Sequence, residues 1–110
     1  YGHDDLGRQV LDRVFAEVME AEAAAVRVQF VSGTHAIAAA LYGVLRPGDE
    51  MLAVAGAPYD TLEEVIGLRG EHQGSLAEFG ITYGELALTA LGTIDWRALE
   101  SAIQPERKLV

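Results

Sequence analysis

Three short residue groups in this chain could do chemistry: Ser32-Gly33-Thr34-His35, Tyr59 in "GAPYDTLEEV", and the opening "YGHDDLGR". The first interrupts "VRVQFVSGTHAIAAALYGVLRPGDEMLAV", where a β-branched run gives way to an apolar helical stretch. A helix start leaves its leading N–H groups without intrahelical partners, and the helix dipole is positive there, so an anion such as phosphate is stabilised. Gly33 lets the backbone approach closely, and the Ser32 and Thr34 hydroxyls can donate to phosphate oxygens. The same residues also make an ordinary helix cap. Nothing here is a Walker loop or a GxGxxG turn, and Ser32 lies in no GxSxG elbow. Tyr59 follows the next strand pattern. Its ring would either stack on a planar ligand or pack over its own loop.

The histidines at 3, 35 and 72 show no metal-ligand spacing. His35 reads as a helix-start residue beside the turn and His72 as a solvated loop residue. Glu63-Glu64 and the group Glu17, Glu20, Glu22 read as solvated helix faces, not as a pair of catalytic carboxylates.

The elements that position these residues follow from period and turn chemistry. Val10, Val14 and Val18 form one row and Leu11, Phe15 and Met19 the next, predicting a helix from the Asp4-Asp5 caps to about residue 23. Residues 25–31 read as a first strand. Residues 35–45 read as a helix apolar on all sides, hence buried on more than one. "MLAVA" reads as a buried strand, 61–68 as a helix capped by Asp60 with Glu63 in its first turn, and "GITYGELAL" as another strand. Asp95 caps "WRALESAI", and "KLV" begins a last strand. Strands alternating with helices predict an α/β fold, three-layer α/β/α with a mostly parallel sheet. Both the turn and Tyr59 then follow the carboxyl ends of strands, where open α/β sheets gather ligands.

Composition narrows the rest. The 110 residues make one domain at most, and half of them are hydrophobic, enough for a real core. A net charge of -9 disfavours nucleic acid and anionic lipid. The absence of cysteine removes disulfides, Cys-ligated zinc, iron–sulfur clusters and thiol chemistry. No apolar run reaches a membrane span, so a soluble cytoplasmic protein is expected. The first residue is not Met and "KLV" stops in a strand, so a piece of a longer chain is expected.

Taken in order, "YGHDDLGR", "VSGTHAIAAALYGVLRPGDE", "PYDTLEEVIG", "GSLAEFGITY" and "IDWRALESAIQPERKLV" resemble the methionine γ-lyase-like proteins, many labelled aluminium-resistance or cystathionine β-lyase-like. These are fold-type-I enzymes that use pyridoxal 5′-phosphate (PLP). The resemblance covers essentially the whole chain and implies the N-terminal part of a PLP-binding large domain. It implies that Ser32, Gly33 and Thr34 hold the cofactor phosphate and that Tyr59 stacks on the pyridine ring. It implies that Tyr1 and Arg8 reach a neighbouring subunit's site, hence a homodimer or homotetramer. His3 stands where family members often carry a second aromatic. The implied activity is carbon–sulfur bond cleavage in a sulfur-containing amino acid.

PLP enzymes also need a lysine to hold the cofactor and an acidic partner for its ring nitrogen. The sole lysine is Lys108, where the family has no such lysine. The segment is therefore expected to carry no catalytic residue and to be inactive alone. The resemblance also implies that the 25–31 strand lies apart from the later ones in the sheet, so the segment is expected not to fold natively alone. Another PLP reaction on the same fold, such as an aldolase or aminotransferase, is the rival within the enzymes. A non-catalytic α/β binding domain is the rival outside them.

Overall fold

The computed structural model describes residues 5–105 and 107–110. The chain divides into two compact units, Tyr1–Val31 and Ser32–Val110.

In the first unit, helix α1 spans Leu6–Val18, and Asp5 caps it by accepting from the Gly7 N–H at 2.9 Å. The helix stops short of the expected residue 23. Glu20 takes a left-handed φ of 52°, the Glu20 N–H reaches the Glu17 carbonyl, and the Ala21 N–H reaches that of Ala16. This is a Schellman end built on glutamate instead of the usual glycine. Residues 25–31 do not form the expected strand. Asp12 takes hold of them instead: its carboxylate accepts from the Val26 N–H at 2.7 Å and from Arg27 Nη1 at 2.7 and 2.9 Å. A strand needs a neighbour's ladder, and among the described residues the three strands pair with one another. The Arg27 guanidinium holds the Asp12 carboxyl below its ordinary range.

The second unit begins with α2, Gly33–Val44, followed by strand β1, Glu50–Ala53, and helix α3, Asp60–Ile66. Strand β2, Thr82–Glu85, helix α4, Trp96–Ala102, and strand β3, Arg107–Leu109, complete it. The sheet has the order β2-β1-β3, and both pairings are parallel, as the alternation of patterns predicts. From β1 the chain crosses to one side; from β2 it returns past β1 to the other. The Arg107 guanidinium lies 3.5 Å from the Glu50 carboxylate where β3 meets β1.

The core gathers Leu41, Leu45, Met51, Ile66, Leu76 and Ile81, with Leu62, Tyr83 and Leu109 packed against it. Helix α2 is buried on one side only, contrary to the expectation from its composition. Leu41 is its one buried residue, while Ile37 and Val44 are 40% and 47% exposed. Helix α2 packs beside α3 and enters the core through Leu41, while its other sides meet no comparable cover among the described residues. Within the core rim, burial and the neighbouring Glu85 carboxylate push the Tyr83 phenol upward, so it stays protonated and donates to Glu85 Oε2 at 2.7 Å.

Asp95 caps α4 as expected, its Oδ1 accepting from the Arg97 and Ala98 N–H groups at 3.1 and 3.0 Å. Asp95→Ala leaves both donors without that partner. It should destabilise the full-length protein by about 1 kcal/mol, read as a lower urea midpoint with an unchanged slope.

Candidate functional site

The β1 carboxyl end feeds a loop that reaches Tyr59, and two bonds tie this loop to the end of β2. The Leu86 N–H donates to the Ala53 carbonyl at 2.8 Å, and the Gly56 N–H donates back to that of Leu86 at 2.9 Å. Tyr59 is thus delivered from a braced loop. It serves as the N-cap residue of α3 with no side-chain cap bond, and its side chain is 47% exposed. Asp60, the expected cap, is instead the first helical residue; its Oδ1 accepts from the Thr61 N–H at 2.8 Å. Asp60 and Glu63 both lie in the first turn, where the dipole favours negative charge.

At the start of α2, Ser32 is the cap that its residue type suggests. Its Oγ accepts from the His35 N–H at 3.1 Å, and its carbonyl accepts from the Ala36 N–H at 3.2 Å. The Ala36 bond is the first of the helix ladder and the His35 bond is the cap, which leaves the leading amides of Gly33 and Thr34 at the turn. A Cβ built on Gly33 would meet nothing within 4 Å, so the space over this turn is open. A cap does not preclude binding an anion here, because Ser32 spends a lone pair on the cap and keeps its proton to donate.

The two sequence-predicted groups come together here. Thr34 Oγ1 lies 3.1 Å from Tyr59 Oη, across 25 residues of sequence. Thr34 Oγ1 also lies 3.0 Å from Thr61 Oγ1, a residue that sequence reasoning passed over. The only signal for it was a hydroxyl two places after Tyr59 in "PYDT". Arg8 lies on α1, in the first unit, lining an open pocket with Leu11, Val26 and Gln29. Tyr1 and His3 lie outside the described residues. No group of acidic and histidine side chains that could hold a metal ion occurs among the described residues, and no described helix is long and apolar enough to cross a membrane.

The sheet is parallel, and a helix-start turn and an aromatic residue meet beside a strand's carboxyl end, the end where open α/β sheets commonly gather ligands. The family model for methionine gamma-lyase matches residues 1–110, the whole chain, and the chain belongs to that family. It is 53% identical to the uncharacterised protein YnbB of Bacillus subtilis over 111 residues. Among solved structures it is similar to a Listeria innocua protein carrying the provisional name cystathionine beta-lyase involved in aluminum resistance. That match has 52% identity and a TM-score of 0.91, over 99% of this chain and 27% of the other. A carbon-sulfur lyase involved in aluminum resistance from Clostridium novyi matches with 46% identity and a TM-score of 0.91, over 97% of this chain and 26% of the other. The chain covers all of its own length but only 26% of YnbB, about a quarter of its relatives.

Proposed function

We propose that this chain is the phosphate-holding and ring-stacking part of a PLP-dependent carbon–sulfur lyase acting on sulfur-containing amino acids. In this proposal it belongs to a three-layer, fold-type-I large domain. The observation that carries the reading is the meeting of Thr34 and Tyr59 hydroxyls at 3.1 Å over an open helix-start turn. The names of the relatives support the lyase class.

The residues present fit the cofactor. The amides of Gly33 and Thr34 and the hydroxyls of Ser32 and Thr34 are donors, which suits a phosphate that only accepts. The half-exposed Tyr59 ring offers a face to a planar heteroaromatic, and its hydroxyl bond to Thr34 limits how that ring can swing. PLP, when bound, supplies an electron sink for bond cleavage in the amino acid. The chain's own residues bind and orient; none of them moves a proton.

Lys108, the sole lysine, is exposed on β3. The covalent lysine and the acidic partner of the ring nitrogen are accordingly assigned to the three quarters of the relatives that this chain does not span. A homodimer or homotetramer in the cytoplasm, with Tyr1 and Arg8 serving a neighbour's site, completes the reading.

The test is the visible spectrum of the purified full-length protein before and after borohydride. The expected result is a yellow band that bleaches on reduction while the cofactor stays attached through denaturation. A colourless protein that remains so after added PLP would overturn the proposal. Release of pyruvate or 2-oxobutyrate from a sulfur-containing amino acid then separates β- from γ-elimination, and both from an aldolase or aminotransferase.

A further inference from the structure

Thr61 has no part in the reading above, yet its side chain makes an unusual choice. It sits in the first turn of α3, a helix that has no side-chain cap bond. Threonine hydroxyls near a helix start commonly serve that helix's own backbone. The Thr61 hydroxyl instead reaches Thr34 Oγ1 at 3.0 Å, on another helix and 27 residues away. Its own backbone is steadied by Asp60, whose Oδ1 accepts from the Thr61 N–H.

Thr34 Oγ1 is therefore the centre of three hydroxyls, between Tyr59 at 3.1 Å and Thr61 at 3.0 Å. Three hydroxyls carry three protons, and the two internal bonds use two of them. One proton is left to donate outward. When Thr61 and Tyr59 both donate into Thr34, the outward proton is Thr34's own, at the open turn where an anion would sit. Two incoming bonds also polarise the Thr34 O–H and so strengthen it as a donor. They hold its side chain in one rotamer as well.

We infer that Thr61 is a positioning residue for the phosphate site, holding the Thr34 hydroxyl as an outward donor; this rests on the cofactor reading above. Thr61 does not touch the ligand and acts through Thr34.

The experiment is titration of the full-length apoprotein with PLP and, separately, with pyridoxal, which has the ring but no phosphate. Thr61→Val should raise the PLP dissociation constant roughly fivefold, the worth of one ordinary hydrogen bond. It should leave pyridoxal binding unchanged. Thr61→Ser, which keeps the hydroxyl, should restore PLP affinity. Thr34→Val combined with Thr61→Val should bind no more weakly than Thr34→Val alone, because the second loss acts through the first. Equal PLP affinity of the Val and wild-type proteins would overturn the inference and leave the cofactor reading standing. So would additive losses in the double variant, or equal losses for PLP and pyridoxal. A wild-type protein that binds no PLP removes the cofactor reading itself, and this inference with it. Should Thr61→Val fail to fold, the comparison of Thr61→Ala with Thr61→Ser against both ligands decides the same question.

Discussion

Gly67→Ala should destabilise the full-length protein by about 2–5 kcal/mol. Gly67 ends α3 with φ 98° and ψ 26°, a left-handed conformation that costs an L side chain about 1–2 kcal/mol. Space is the second obstacle. A Cβ on Gly67 would lie 2.7 Å from both the Ala77 Cβ and the Ser75 Oγ, and 3.1 Å from the Ser75 Cβ. Those neighbours cannot easily retreat. Ser75 is 2% exposed and donates its hydroxyl to the His72 carbonyl at 2.7 Å. The Leu76 and Ala77 N–H groups cap the end of α3, bonding to the Val65 and Ile66 carbonyls at 2.9 and 3.0 Å. Overpacking of this kind typically adds 1–3 kcal/mol. The check is the denaturation midpoint of the variant. A midpoint equal to wild type would mean that the 75–77 turn is not clamped on the helix end as described. The effect should reach the site too, because the other end of this seven-residue helix carries Tyr59 and Thr61.

What could be read in the sequence and what could not divide along the range of the interactions. Ser32 and Asp95 were legible as caps because a cap is made between a side chain and an amide two or three residues on. Strands β1, β2 and β3 and their parallel order follow from apolar runs alternating with helical periods. The 25–31 run carries the same β-branched signal as a strand, yet a strand exists only through a partner, and the run found Asp12 instead. Local composition contains no trace of that choice. Glu20 hid the end of α1 for a related reason: glutamate is not the residue that announces a left-handed helix end. Composition also overstated the burial of α2, since an apolar helix is covered only as far as there is something to cover it.

The candidate site shows the same division. The Ser32-Gly33-Thr34 turn and Tyr59 are linked in the sequence because both follow strand patterns, at the ends where α/β sheets gather ligands, and the resemblance gives them roles. Their actual meeting depends on α2 and α3 packing side by side. Thr61 was invisible because a bond across 27 residues has no local signature. The strand meant to precede the turn is missing, yet the turn persists, because Ser32 and the first amides of α2 need no sheet behind them.

Tyr59 separates the rival readings most sharply. Under the cofactor reading its ring supplies contact area and stacking, and its hydroxyl supplies one bond to Thr34. Tyr59→Phe removes only the bond and should weaken PLP binding by the full-length apoprotein roughly fivefold. Tyr59→Ala removes the ring as well. The stacking geometry of an aromatic pair is worth about 0.5–1.5 kcal/mol beyond the area it buries. The bond and the stacking together should therefore cost about 1.5–2.5 kcal/mol, roughly 10- to 70-fold in the dissociation constant. Stability should hardly change in either variant, since the side chain is 47% exposed and no core residue loses its cover. Should Ala and Phe weaken binding equally, the ring would be a loop-packing residue and the hydroxyl its only contribution to the site. Should the Ala variant lose stability and not affinity, the aromatic at this position would serve the fold, as the non-catalytic reading requires. A large loss of affinity for Ala, a small one for Phe and intact folding for both is the pattern that only a ring-stacking role produces.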